Sequence, residues 1–214
     1  MVVRMSPVVD EVRKEVQRRP GGRSARVRAA VLRATLEAMT EHGPGGVTIS
    51  EIARRAGVHA TSVQRRWGTA ENAMLDAMLT HSQEELPIPD TGSLRGDLIA
   101  FARLIAAYLA SPLGAALNRT MAVAEDDPER TDGRTRFWRS RYDAARAMFD
   151  RAIERSEMSA DTDPGRALEL LVAPLHFRTL LIRQPIDDSL IEELVDTLLR
   201  GLADRTERRK GVRR

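Results

Sequence analysis

The side chains best suited to chemistry crowd into one stretch, Thr48 to Trp67, which reads TISEIARRAGVHATSVQRRW. Its second half carries His59, Thr61, Ser62, Gln64, Arg65 and Arg66. A Gln amide can meet the edge of adenine with two hydrogen bonds and an Arg guanidinium that of guanine. Thr and Ser suit phosphate oxygens or either base class. Donors of this kind on one exposed helix face are equipment for reading a nucleic acid. Thr48 and Trp67, at the two ends of the stretch, belong to the same candidate set. Thr48 is placed for a contact that does not depend on base sequence.

Such a face works only if something rigid presents it. Two short helices joined by a tight turn need a small residue where they cross, a turn residue that accepts positive φ, and apolar inner faces. Ala53 is the small residue and Gly57 the turn, while Ile49, Ile52, Val58 and Val63 supply the inner faces. The spacing Ala-x3-Gly-x5-Val is that of a helix-turn-helix. Thr48 and Glu51 form the T-x-x-E pattern that caps the first of the two helices. Helical hairpins with a glycine turn are more often plain packing, but donors rather than random polarity on the outer face favour DNA reading. The rival reading is a helical protein-interaction module that retains the helix-turn-helix only as scaffold.

With those residues in view, positions from about 24 to 81 resemble the DNA-binding domain of the TetR/AcrR family of bacterial transcriptional regulators. The resemblance is carried by Met39-x-x-His42-Gly43, then Val47-Thr48-Ile49-x-x-Ile52-Ala53-x-x-Ala56-Gly57-Val58. Ser62-Val63, Arg65-Arg66-Trp67 and Thr69-x-Glu71 continue it. Two positions depart from the family pattern: Gln64 stands where an aromatic residue is usual, and Ala70 where a lysine is usual. The first exchanges an aromatic contact for amide readout, and the second removes one charge that would pair with phosphate. The resemblance implies a two-fold homodimer, recognition helices in successive major grooves of a pseudo-palindromic operator, and a small-molecule effector pocket in the C-terminal half. By family habit it also implies a repressor.

The rest of the chain breaks at turn signals into helices, and no strand pattern emerges. Helix 1 is predicted from Ser24, with Val27, Val31, Ala34 and Ala38 on one stripe and Leu32, Leu36 and Met39 on another, ending at His42-Gly43. A fourth helix is predicted over 70–83 after the cap Thr69, followed by a linker with Pro87, Pro89 and Gly92. Further helices are predicted at about 94–110, 112–124, 131–157, 164–182 and 188–203, each bounded by Ser, Asp or Pro. The expected fold is all-α: an N-terminal three-helix helix-turn-helix domain plus a C-terminal helical ligand-binding and dimerisation domain. The expected divisions are a flexible basic arm at 1–22, the DNA-binding domain at 23–83, the effector and dimer domain at 93–204, and a basic disordered tail at 205–214.

In the C-terminal half, Phe101, Tyr108, Met121, Trp138, Tyr142 and His176 are the candidate ligand contacts. Trp138, Tyr142 and Phe149 share a face at helical spacing. Stripes of this kind are more often solid core, and His176 is weighted towards a hydrogen-bonded core residue. Leu194 and Leu198, on a wide apolar face over 188–203, are matched with Leu171 and Leu175 as a candidate dimer bundle.

Charge follows the same division. The net charge is +3, but residues 1–81 carry 13 basic and 8 acidic side chains (+5), residues 82–204 carry 15 and 22 (−7), and the tail carries 6 and 1 (+5). Only the front therefore suits a polyanion. There is no cysteine, which excludes disulfides and thiolate chemistry and fits a reducing, cytoplasmic setting. The start of the chain lacks the apolar stretch of a signal peptide, and the apolar window 98–117 is interrupted by Arg103, Tyr108, Ser111 and Pro112. It reads as buried helix, with no membrane partner. No phosphate loop, G-x-S-x-G elbow or H-E-x-x-H spacing occurs among the four histidines. Neither enzymatic activity nor a cofactor or metal is expected.

Overall fold

The computed structural model describes residues 22–122 and 128–212. Most of the proposed N-terminal arm and residues 123–127, between the predicted helices at 112–124 and 131–157, lie outside those residues. Within them the chain forms nine α-helices and no strand.

The helix ends follow from local chemistry. Helix α1 (Arg23–His42) starts one residue before the predicted Ser24; Gly22 is its N-cap and makes no side-chain bond. After a 3-10 turn at Pro44–Gly46, α2 (Ile49–Ala56) opens on Thr48, whose Oγ1 accepts the Glu51 amide at 3.2 Å. Gly57 ends it at φ 65° and ψ 35°, a left-handed geometry that a side chain would strain. The Val58 amide then reaches back to the Ala53 carbonyl at 3.0 Å. Helices α3 (Ala60–Trp67) and α4 (Ala70–Glu85) follow, the latter capped by Thr69 accepting from the Asn72 amide. Val31, Ala38, Met39, Ile52, Ala53, Val63 and Trp67 fill the core between these four helices.

A second core lies among α5 (Leu94–Ala110), α7 (Pro128–Glu154), α8 (Pro164–Phe177) and α9 (Asp188–Val212), while α6 (Pro112–Ala122) packs Leu117 into the first core. Between α5 and α6 the chain bends by 86°. Gly114 makes that bend possible, because a Cβ there would lie 2.0 Å from the Tyr108 carbonyl oxygen. Ser111 secures the corner by donating to the Tyr108 carbonyl at 2.8 Å and accepting from the Gly114 amide at 3.0 Å. Among the described residues no single helix is long and apolar enough to cross a membrane.

Two predicted boundaries need correcting. The helix expected over 164–182 stops being regular at Phe177, and a wider π turn covers Arg178–Ile182. Pro174 lies inside α8 and removes one backbone donor shortly before that turn. The tail expected to be disordered from 205 is instead the last part of α9, which runs to Val212. RTERRK contains no helix breaker, so nothing in it ends the helix.

The two cores touch where α1 meets α6 and where α4 meets α7. The segment between α4 and α5 is pinned down: Arg151 donates to the Pro89 carbonyl and pairs with Asp90 and the buried Asp97. Asp97 also accepts from the Thr91 amide and hydroxyl at 2.6 and 2.8 Å.

Candidate nucleic-acid interface and effector cavity

Helix α3 is held by its inner side. Val63 is fully buried and Ala53 nearly so at the crossing with α2. That leaves His59, Thr61, Gln64, Arg65 and Arg66 exposed, with Ser62 half-buried at the edge. Neither the Gln64 nor the Arg65 side chain has a hydrogen bond or ion pair among the described residues. Arg66 folds back, its guanidinium 5.2 Å from the Trp67 ring centre and 3.4 Å from the Ser24 hydroxyl. Thr48 is exposed, and its Oγ1 is already engaged as the α2 cap.

Trp67 corrects the sequence reading. It is only 8% exposed, its ring belongs to the N-terminal core, and its indole N–H donates to Asp76 Oδ2 at 2.9 Å. A residue four positions after Val63 returns to the same inner side of the helix. Trp67 thus anchors α3 to α4 rather than facing a groove.

The arginines of α2 have a different environment from Arg65. Glu51 receives Arg54 at 2.7 Å and Arg55 at 2.5 Å, and Arg55 also reaches Glu41 at 2.6 Å. These hydrogen bonds hold the Glu51 carboxyl down at about 2. The basic surplus of this half is therefore partly neutralised on α2 and left free on α3.

The six candidate ligand contacts come together. Phe101, Tyr108, Met121, Trp138, Tyr142 and His176, contributed by α5, α6, α7 and α8, all line one cavity. About 70 Å³ of it is open to the centre of a water-sized sphere, room for several waters or a compact organic group. Trp138 packs at 5.8 Å from Tyr142 and edge-on at 5.5 Å from His176. Phe149, on the same helix stripe, is fully buried in the second core. His176 fits both readings weighed for it: Nδ1 bonds the Val172 carbonyl at 3.1 Å, and the ring forms part of the wall. Burial pushes its pKa down, with the Val172 carbonyl opposing. Burial, reinforced by the Glu85 charge, pushes the Tyr108 hydroxyl up to about 12, and burial raises Tyr142 as well.

Sequence reasoning missed the polar members of the wall. Asn118 and Arg141 are 8% and 6% exposed, and both line the cavity with Ser82 and Met78 of α4. One signal was available: Arg141 lies between Trp138 and Tyr142 on the inward stripe of α7, where an unpaired charge is out of place.

The dimer assignment also needs correcting. Leu171, Leu175 and Leu198 are buried in the protomer's own core, and Leu194 is half-buried against it. Among the described residues the exposed large apolar side chains are Leu170, Phe177, Leu181 and Ile182, at 45% to 71% exposure. Because α8 is apolar on both sides, sequence could not say which stripe turned inward.

Comparison with known proteins agrees with both halves. Residues 31–77 match the model of the bacterial regulatory proteins of the tetR family, and residues 88–198 match a tetracyclin repressor-like C-terminal domain. The chain is 37% identical to the HTH-type transcriptional regulator AqdR of Rhodococcus erythropolis, over 84% of this chain and 86% of that one. It is 27% identical to the regulator YdeS of Bacillus subtilis, over 81% and 88%. Among solved structures, the TetR family transcription regulator SCO0332 superposes with a TM-score of 0.69 at 28% identity, covering 82% of this chain and 97% of that one.

Proposed function

The chain belongs to the TetR family of bacterial transcriptional regulators, which are DNA-binding proteins and not enzymes, and from that premise we propose that it is a ligand-responsive repressor acting as a homodimer on a pseudo-palindromic operator. One observation carries the reading: α4 joins the DNA-facing helix to the cavity. Near its middle, Asp76 holds the Trp67 indole of α3 and also takes Arg28 of α1. From there to its C-terminal end, Met78, Ser82 and Leu86 form cavity wall, and the Leu86 carbonyl accepts from Arg141 at 2.9 Å. A ligand that displaces this end moves α3 with it. In a dimer on one operator the separation of the two α3 helices is set by the helical repeat, so a small displacement loses contacts in one groove.

Base readout falls to Gln64 and Arg65, and phosphate contact to Thr48, Thr61, Ser62 and His59. Arg66, held back over Trp67, supports the face from its edge. An exposed apolar patch supports the dimer: Leu170 and Phe177 lie on one side of α8 and Leu181 follows in the π turn, and patches of this kind mark association surfaces.

Selection of bound fragments from genomic DNA tests the reading. A pseudo-palindrome with half-sites about one helical turn apart, roughly 34 Å, is expected. The binding constant should fall steeply with salt, by roughly 0.9 in log-log slope per phosphate neutralised. No enriched fragment, or affinity indifferent to salt, would support the interaction-module alternative. An effector should shift operator affinity roughly 5- to 150-fold, and operator should shift effector affinity by the same factor.

A further inference from the structure

The cavity contains a positive charge with no counter-charge. Arg141 is 6% exposed, its hydrogen-bond partner is the neutral Leu86 carbonyl, and it forms no ion pair with a carboxylate among the described residues. Across the same cavity Asn118 is 8% exposed, and its Nδ2 is buried without a hydrogen-bond partner. Almost everything else in the wall is aliphatic or aromatic.

Buried cations are ordinarily paired, and buried amide donors ordinarily bonded, because withdrawing either from water is costly. A cation without a counter-charge and an amide donor without an acceptor, both in the wall of one largely apolar chamber, are suited to acceptor oxygens brought in by a guest. A guanidinium offers a carboxylate two parallel bonds, which a point charge cannot do. We propose that the effector is an apolar monoanion, an aryl or short acyl body ending in a carboxylate, which pairs with Arg141 and receives a hydrogen bond from Asn118. This rests on reading the cavity as the effector site and adds the chemical class that it selects.

The arrangement also provides a way to transmit binding. In this structure Arg141 holds the carbonyl of Leu86, the residue that caps the end of α4. A carboxylate is a stronger partner for a guanidinium than a carbonyl is. An anion that draws Arg141 away therefore releases α4, whereas a neutral guest of the same shape leaves that bond in place.

The test uses 2-naphthoate and 2-naphthamide, which share a body and differ in charge, titrated calorimetrically into the full-length protein. Naphthoate should bind about tenfold more tightly or better. Arg141→Met should remove that preference while changing naphthamide affinity by no more than about twofold, and Asn118→Leu should weaken naphthoate by roughly threefold. Arg141→Gln, which keeps a donor for Leu86, should lose the preference equally and serves if the methionine variant unfolds. Equal or tighter binding of naphthamide would overturn the proposal. So would an anion preference that survives in a folded Arg141 variant, or failure of naphthoate to bind at roughly 1 mM, an affinity weak enough for a single small-molecule contact set. Operator binding measured in parallel separates the two readings. Loss of the anion preference with operator binding intact removes only the ligand class, whereas operator affinity unchanged by a bound probe removes the ligand response.

Discussion

The two halves keep their polar groups under opposite conditions. On α3, Gln64 and Arg65 stand exposed and unpaired, and water satisfies them until a partner displaces it. In the C-terminal cavity, Arg141 and Asn118 are almost fully withdrawn from water, and protein groups leave them only partly satisfied. The exposed pair costs folding almost nothing, so its presence alone says little, and the helix that presents it has to supply the meaning. The buried pair weighs on stability in every unliganded molecule. Such a pair suits a ligand even without a motif around it.

The largest expected effect tests the cost of burial directly. Leu171 is 1% exposed and its neighbour Leu170 is 58% exposed. Leu171→Glu should cost roughly 4 kcal/mol or more and unfold the C-terminal half. Leu170→Glu should leave each protomer folded and shift the dimer towards monomer in sedimentation. If both variants melt like wild type and sediment as dimers, the orientation of α8 and the dimer face are wrong together.

The exposed half should behave in the reverse manner. Gln64→Ala and Arg65→Ala should each cost about 1–3 kcal/mol of operator binding and relax base preference at one position, with the melting temperature unchanged. Thr48→Ala should weaken binding to all sequences alike and also cost about 1 kcal/mol of stability, because the same hydroxyl caps α2. Cognate binding that survives both α3 substitutions would mean that a different face meets DNA.

The smallest effect is a difference in pH response. His176 has its pKa pushed below the ordinary 6.5 by burial. As pH falls through that value the unfolded chain takes up a proton that the folded chain resists, so stability falls with pH. Thermal unfolding from about pH 7.5 to about pH 5.5 should therefore destabilise wild type more than His176→Gln. Glu51, held at about 2, makes no such contribution in this range. An identical pH response in the two proteins would place His176 in contact with solvent.

Much of this molecule is determined by local sequence. Thr48, Thr69 and Asp163 cap their helices with the side-chain bonds their positions predict. Gly57 adopts the left-handed turn between α2 and α3, and the aromatic candidates of the C-terminal half converge on one cavity. Caps and turns act within four or five residues, so residue type and spacing are enough to read them.

Tertiary packing decided the rest, because helical periodicity shows which residues share a side but not which side faces inward. Trp67 and Arg66 are adjacent in sequence, yet one is buried against Asp76 and the other lies exposed over its ring. Leu170 and Leu171 divide in the same way between surface and core. Asn118 and Arg141 belong to different helices; Asn118 alone resembles an ordinary surface residue, and Arg141 stands out only as a charge on an aromatic stripe. They became neighbours of one chamber only when the bend at Gly114 and the packing of α7 on α4 closed it. That closure depends on contacts between residues far apart in the chain, which no local pattern encodes.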